Sequence, residues 1–408
     1  SHQDVDKVVL TGAHETAVKF KSWRPDLDLV AETSGKNSIV VTNSSDIDLA
    51  VYDIVKSAFG HAGQKCSAGS LAIVEKETYN NPLFFKQLVD ATNSLSVGNP
   101  TDLGNSVGPI IKNPDEKLLR ALTELEEGEE WLVKPKVLND SNCWTPGIKI
   151  NVQPSSWTHM NEWFGPVLGI MKAPNLKKAI EWQNATEYGL TAGLHSLSTK
   201  ECNYWLKNVE AGNLYINRPI TGAVVKRQPF GGWKKSSFGS TVKAGSSYYP
   251  SIFKRYNQVK DYDILVNELE ELWSIKSKKI KNDNLQSEHN YSVLYPHKKV
   301  LKVHEENPTP EFKKYWDSIK NIFRMTVDEI EFSKLEDNDS LDKYSLVRWL
   351  SREPAPEWIY KYNFSLDTNQ IVQNSQRELF SWVREQSISI TNHRYGNIGF
   401  SPVSIEES

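Results

Sequence analysis

Between Lys7 and Ile216, short apolar runs alternate with helix-compatible stretches, and no other feature of the sequence limits its possible folds so strongly. Lys7-Val-Val-Leu-Thr-Gly12 reads as a buried strand ending in a glycine turn, and a helix is expected from His14 to about Trp23. Further strands are expected at 27–31, 38–41, 70–74, 167–171, 190–195 and 213–216. Helices are expected at 47–61, 82–91, 176–183 and up to about 209. Alternation of this kind packs as a mostly parallel sheet with helices on its faces, so the fold class is α/β. The 408 residues suffice for two or three domains with their own cores.

Beyond about Asp261 the character changes. The stretch Ser274-Ile-Lys-Ser-Lys-Lys-Ile-Lys-Asn282 reads as a linker or solvated segment. Without interleaved stacking aromatics, a solvated face explains it better than a nucleic-acid patch. From Tyr291 onward a third folded unit is expected. Its residues 387–391 alternate like a half-exposed strand suited to pairing with a partner, and Tyr395-Gly-Asn397 supplies a turn. The 48 basic and 51 acidic side chains leave a formal charge of −3, which gives no overall pull toward nucleic acid or anionic lipid. No apolar run approaches the ~20 residues of a membrane span, and no signal-peptide layout opens the chain. A soluble, cytoplasmic protein is expected, with small molecules or other subunits as partners. Cys66, Cys143 and Cys202 make an odd count with no CxxC pair, arguing against a disulfide framework and against a structural zinc site.

Four segments carry residue types suited to chemistry. In Phe59-Gly-His-Ala-Gly-Gln-Lys-Cys66-Ser-Ala-Gly-Ser70 a cysteine stands among small residues between a helix and a strand. Small neighbours admit a substrate to the sulfur, nearby backbone N–H groups suit an oxyanion, and Lys65 favours the thiolate. The alternative is an inert buried thiol. In Leu29-Val-Ala-Glu32-Thr-Ser-Gly35-Lys36-Asn37 a carboxylate ends a strand, which suits either a cap or a general base beside a ligand cleft. Asn161-Glu162-Trp163-Phe164-Gly165-Pro166-Val167 pairs an acid, able to accept from ribose hydroxyls, with an aromatic able to pack on a nicotinamide; both also suit ordinary turn and core roles. The loop Asn217-Arg-Pro-Ile-Thr221-Gly222-Ala223, continuing to Gln228-Pro-Phe230-Gly231-Gly232, offers backbone amides for a carboxylate.

Taken together, in order and spacing, these segments resemble the aldehyde dehydrogenase superfamily. The intervals from Glu32 to Cys66 and from Cys66 to Glu162 are similar to those between that family's base, nucleophile and ribose-binding glutamate. Gly-Gln-Lys-Cys-Ser, Thr-Gly-Ala and Gln-Pro-Phe-Gly-Gly resemble the L-glutamate γ-semialdehyde (1-pyrroline-5-carboxylate) dehydrogenases, a module also found in bifunctional proline utilisation A flavoenzymes. The likeness covers about 4–256, and 377–397 resembles a C-terminal domain of longer members. Glu32-Thr-Ser-Gly-Lys36 departs from the usual Glu-Leu-Gly-Gly-Lys but keeps the acid, one glycine and the lysine.

The resemblance implies an α/β fold with four regions: a C-terminal remnant of the NAD-binding domain at 1–36, a catalytic domain at 37–240, a return segment and linker at 241–290, and an accessory α/β domain at 291–408 with a terminal oligomerisation strand. It implies Cys66 as nucleophile and Glu32 as the base that activates water. Thr11, Gly12, Glu162 and Phe164 would contact NAD, while Ser67, Gly222, Ala223 and Phe230 would contact the substrate. The reaction implied is oxidation of L-glutamate γ-semialdehyde to L-glutamate, with a proline dehydrogenase module, fused upstream or separate, and a homo-oligomer as partners. Because a dinucleotide domain needs several βαβ units, little dehydrogenase activity is expected of this stretch by itself. Alternatives are a dehydrogenase for another aldehyde, a non-catalytic assembly module, and a thioesterase-like hydrolase built on Cys66 and Glu32.

Overall fold

The computed structural model describes residues 2–138, 142–239, 242–304 and 309–391. The expected boundary at 240/241 and the turn at Tyr395–Asn397 lie outside the described residues. The chain packs into two compact units, one of residues 1–34, 224–283 and 291–387, the other of 35–223, 284–290 and 388–408. Each is described by itself.

The second unit is built on the alternation seen in the sequence. Six of its strands pair in parallel, in the order Asn213–Ile216, Thr191–His195, Asn37–Val41, Gly69–Glu75, Val167–Ala173 and Gly147–Ile150. Glu130–Val133 closes the far edge antiparallel. Every residue of the strand Asn37–Val41 is buried, as its apolar run and central place demand. Side-chain oxygens start the flanking helices: Asp46 accepts from Leu49 N before Ile47–Phe59, Asn81 from Leu83 N before Pro82–Asn93, and Asn175 from Lys178 N before Leu176–Asn184. Helix is joined to sheet by Gln183, whose amide donates to the Ser38 carbonyl at 3.0 Å and accepts from Trp205 Nε1 at 2.7 Å.

The first unit holds a small sheet in which Lys7–Thr11 runs parallel to Asp28–Glu32, with Thr11 opposite Glu32. Ser237–Phe238 pairs antiparallel on the other side. A second, wholly parallel sheet has the order Thr326–Glu331, Lys299–His304, Leu346–Trp349, Ser365–Asp367, with the helix Pro310–Phe323 connecting its first two strands in sequence. Its core is aromatic: Trp316 and Trp382 meet edge to face at 5.0 Å, and Tyr315, Ile319 and Phe323 pack around them.

Two expectations are corrected here. Residues 387–391, expected to form a half-exposed strand, lie in the strand Val383–Thr391 and are buried from Ser387 to Ile390. The stretch 241–290 was expected to be return segment and linker, yet Tyr262–Lys276 is a helix of four turns, capped by Asp261 and anchored by Leu265 and Leu269, both fully buried. Apolar anchors one turn apart give it a packed face that a linker lacks.

Candidate active site

In the second unit the cysteine turn is held from the strand Asn37–Val41. Asn37 Nδ2 donates to the Cys66 carbonyl at 2.7 Å and to the Ala68 carbonyl at 3.0 Å, while its oxygen accepts from Thr191 N at 3.0 Å. Gly35 lets the two segments approach, since a Cβ there would lie 2.8 Å from the Cys66 carbonyl oxygen. Cys66 itself is half-buried, in contrast to Cys143 and Cys202, and none of the three is in a disulfide. Burial pushes the Cys202 thiol up to about 12, which suits the packing role its helix position suggests. Ser67 is buried, and its carbonyl accepts from Thr191 Oγ1 at 3.4 Å. Tyr215 is also buried nearby; burial pushes its phenol up to about 12, and the charge of Cys66 adds to that shift.

The same short segment reaches Glu162. Gly35 N donates to Glu162 Oε1 at 3.0 Å. Next to it the Lys36 ammonium stacks 3.3 Å from the centre of the Trp163 ring; burial pulls this amine well below its ordinary range, and Glu162 is the main charge holding it up. Phe164 follows in a left-handed conformation, φ +50°, with its ring exposed. Gln64 ties it to the cysteine loop by donating to the Phe164 carbonyl at 3.1 Å. Gly35, Gly63, Lys65, Glu162 and Phe164 line an open cleft. Only glycine fits at position 63, where φ is +66° and a Cβ would meet the Gly165 carbonyl oxygen at 2.3 Å.

Thus Cys66, Ser67, Glu162 and Phe164 are brought together around residues 35–37. Gly222 and Ala223 belong to the same unit and are exposed, Gly222 at φ +85° with open space where a side chain would be. Asn37, Lys36, Gln64 and Tyr215 were not marked by the sequence pattern. His159 has no chemical role: it is buried, accepts from Ser155 N at 2.9 Å, and pairs with the Trp182 carbonyl at 2.9 Å.

Thr11, Gly12, Glu32 and Phe230 fall in the first unit. Glu32 is the last residue of its strand, and its carbonyl accepts from Gly12 N at 3.2 Å. Its carboxylate accepts from Gly232 N at 3.1 Å. Burial pushes it up to about 8, against the pull of the Gly232 amide and the Lys243 ammonium. Thr33 and Ser236 secure the turn that follows, through Thr33 N to the Ser236 carbonyl at 3.0 Å and Ser236 Oγ to the Ser34 carbonyl at 2.6 Å. Phe230 is half-buried, two residues before the amide that holds Glu32. The helix His14–Trp23 begins at Ala13 with no side chain capping it. Among the described residues, no cluster of His, Cys, Asp and Glu is arranged to hold a metal ion, and no helix is long and apolar enough to cross a membrane.

A half-buried thiol in a tight turn and a half-buried carboxyl group at a strand end are the components of covalent carbonyl chemistry. Residues 1–260 match the model of the Aldehyde dehydrogenase family, and the chain belongs to that family. It is 33% identical over 270 residues to 1-pyrroline-5-carboxylate dehydrogenase from Bacillus licheniformis, a match covering 64% of this chain and 52% of that one. Among solved structures it is similar to proline utilization A from Corynebacterium freiburgense, with 40% identity and a TM-score of 0.86 over 98% of this chain and 43% of that chain. It is also similar to 1-pyrroline-5-carboxylate dehydrogenase from Thermus with bound NAD, with 30% identity and a TM-score of 0.56 over 62% of this chain and 50% of that one. The chain spans about half the length of the curated relatives it matches.

Proposed function

We propose that this chain carries the acyl-transfer half of an NAD-dependent oxidation of L-glutamate γ-semialdehyde to L-glutamate, the second step of proline catabolism. The observation that carries this reading is the likeness to proline utilization A over 98% of the chain, together with a half-buried Cys66 in a braced turn. The Cys66 thiolate adds to the aldehyde carbon, and the Cys66 backbone N–H meets the oxygen that becomes negative. NAD, when bound, supplies the acceptor for the hydride that leaves that carbon. Cys66 is then a thioester, and Glu32 takes a proton from the water that hydrolyses it.

The residues suit that cofactor. Glu162 and Phe164 border the cleft beside Gly63, where only a bare backbone fits, and would hold the ribose and nicotinamide. Thr11 and Gly12 precede a helix start with no capping side chain, which suits a phosphate. Ser67 and the amides of Gly222 and Ala223 would grip the substrate's α-carboxylate, and Phe230 would pack on its aliphatic stem, because a buried carboxylate needs donors. In this reading 37–240 is the catalytic domain and 1–36 the end of the cofactor domain. Residues 241–290 return the chain to an accessory domain at 291–408, whose terminal strand serves a homo-oligomer. A proline dehydrogenase module, fused or separate, supplies the substrate, and the setting is the cytoplasm.

The test is competition for the thiol. A limiting amount of iodoacetamide should label Cys66 before Cys143 and Cys202, as read by peptide mass spectrometry. L-Glutamate γ-semialdehyde should protect Cys66 at concentrations where propionaldehyde does not. Equal labelling of the three thiols overturns the nucleophile assignment, and equal protection by the two aldehydes overturns the substrate.

A further inference from the structure

Phe164 keeps its ring 40% exposed, so its backbone, more than side-chain packing, decides where the ring stands. That backbone is left-handed, φ +50°, a conformation that a side chain as large as phenylalanine holds only where its surroundings fix it. On one side Trp163 is buried and donates from Nε1 to the Val167 carbonyl at 3.2 Å. On the other, Gly165 lies so close to the helix Glu116–Thr123 that a Cβ would come 2.2 Å from Leu118 Cδ1. Between them the Phe164 carbonyl accepts from Gln64 Nε2 at 3.1 Å, while the Gln64 side-chain oxygen accepts from Ile111 N at 2.9 Å. Turning that amide over would set oxygen against carbonyl oxygen and nitrogen against N–H, so the two bonds together fix which way it points. Gln64 is placed in turn by three successive left-handed residues, His61 at φ +57°, Ala62 at +53° and Gly63 at +66°, and by its own N donating to the His61 carbonyl at 3.0 Å. The loop carrying Ile111 is anchored one residue earlier, where Ile110 is buried and donates from N to the Asn142 carbonyl at 2.8 Å.

Three segments remote in sequence thus meet at one amide, two residues before Cys66. We propose that Gln64 is a positioning residue for the nicotinamide: its donated hydrogen bond holds the Phe164 carbonyl, and with it the left-handed turn that stands the exposed ring beside the cleft lined by Glu162 and Gly63. The inference deepens the function proposed above and rests on Phe164 meeting the nicotinamide. Gln64 acts through Phe164, and because it hangs from the turn that carries the sulfur, it keeps the aromatic and the nucleophile at one spacing. That spacing matters to hydride transfer, which is sensitive to misplacement by about 1 Å. Both bonds of the amide are exposed, so the effect expected is that of a single neutral hydrogen bond in reach of water.

The experiment uses the full chain and nicotinamide mononucleotide, the part of the cofactor that Glu162 and Phe164 would hold. Alkylation of Cys66 by iodoacetamide is followed by peptide mass spectrometry as the nucleotide is titrated, each variant being compared with its own rate without nucleotide. Wild type should be protected, and Gln64→Ala should raise the half-protecting concentration about five- to tenfold, the worth of one neutral hydrogen bond. Gln64→Glu keeps the length and the acceptor for Ile111 N but, when ionised, has no hydrogen for the Phe164 carbonyl, so it should weaken protection at least as much. Phe164→Ala should weaken protection too, and adding Gln64→Ala to it should change nothing further, since the two act as one unit. Gln64→Glu protected like wild type, or Gln64→Ala costing the same factor with and without the Phe164 ring, overturns the role of Gln64 and leaves the cofactor reading standing. Wild type unprotected at any concentration overturns the assignment of Glu162 and Phe164 beneath it. Where Gln64→Ala fails to fold, the same cycle run with Gln64→Glu decides.

Discussion

Asn37 commits both faces of its amide to the reactive turn, donating to the carbonyls of Cys66 and Ala68 and accepting from Thr191 N. Asn37 and its bonds to Ala68 and Thr191 are buried and the bond to Cys66 partly so, and Asn37→Ala strands two acceptors and a donor at once. We expect a loss of about 3 kcal/mol in urea unfolding and slower alkylation of Cys66, because unsatisfied buried groups carry their full desolvation cost. An unchanged midpoint with unchanged labelling would contradict this account. The sequence marked Glu32 and Cys66 through their glycine-flanked settings, but Asn37 read as nothing more than the first residue before a strand. Its role exists only once residues 66–69 lie against residue 37, a long-range pairing that local pattern does not encode. Lys36 escaped a role for a similar reason: its partners Trp163 and Glu162 are remote in sequence.

Among the elements, five of the six parallel strands of the second unit were legible because each is an apolar run bounded by turn residues; Gly147–Ile150, short and interrupted by Lys149, was not. The structure shifts their ends by only a residue or two. In the first unit the strand expected at 27–31 runs Asp28–Glu32, so the carboxylate is the last residue in the ladder, opposite Thr11. The helix Tyr262–Lys276 was hidden by the lysines that follow it, whose polarity masked the spacing of Tyr262, Leu265 and Leu269. Since Leu269 is fully buried, Leu269→Ala should cost about 2–5 kcal/mol by the lost transfer and the cavity it leaves. A surface linker would give almost no change, so a urea titration of this one variant separates the two descriptions.

At the scale of the molecule, a buried ionic group stands around Arg348, which is fully shielded and pairs with Asp367 and, at 3.1 Å, with Glu378. Tyr315 Oη donates to the same Glu378 oxygen at 3.1 Å. Burial disfavours the charged form of Asp367, yet Arg348 and Arg377 outweigh it and hold its carboxyl down at about 2. Its contribution to stability is therefore complete above about pH 4, the unfolded value, and is lost as the pH falls toward 2. Arg348→Met leaves two buried acids without their cation and should cost about 3–5 kcal/mol at pH 7. At pH 3 the variant's acids take up protons while wild-type Asp367 stays mostly ionised, so the gap between the two urea midpoints should narrow. A gap that widens on acidification would rule this out.

The first unit gathers residues 1–34, 224–283 and 291–387, whereas seven neighbouring strands of the second unit's sheet come from residues 37–216. On a ribosome, which delivers the chain in order at ~5–20 residues per second, those seven strands can pair while the strand bearing Glu32 still waits for its later partners. The cysteine is thus framed early, and the carboxylate receives its buried surroundings only after Glu385 has emerged, whose carbonyl accepts from Trp233 Nε1 beside the Gly232 amide that holds Glu32. Nascent protein would carry a shaped thiol for many seconds before gaining the means to release anything bound to it.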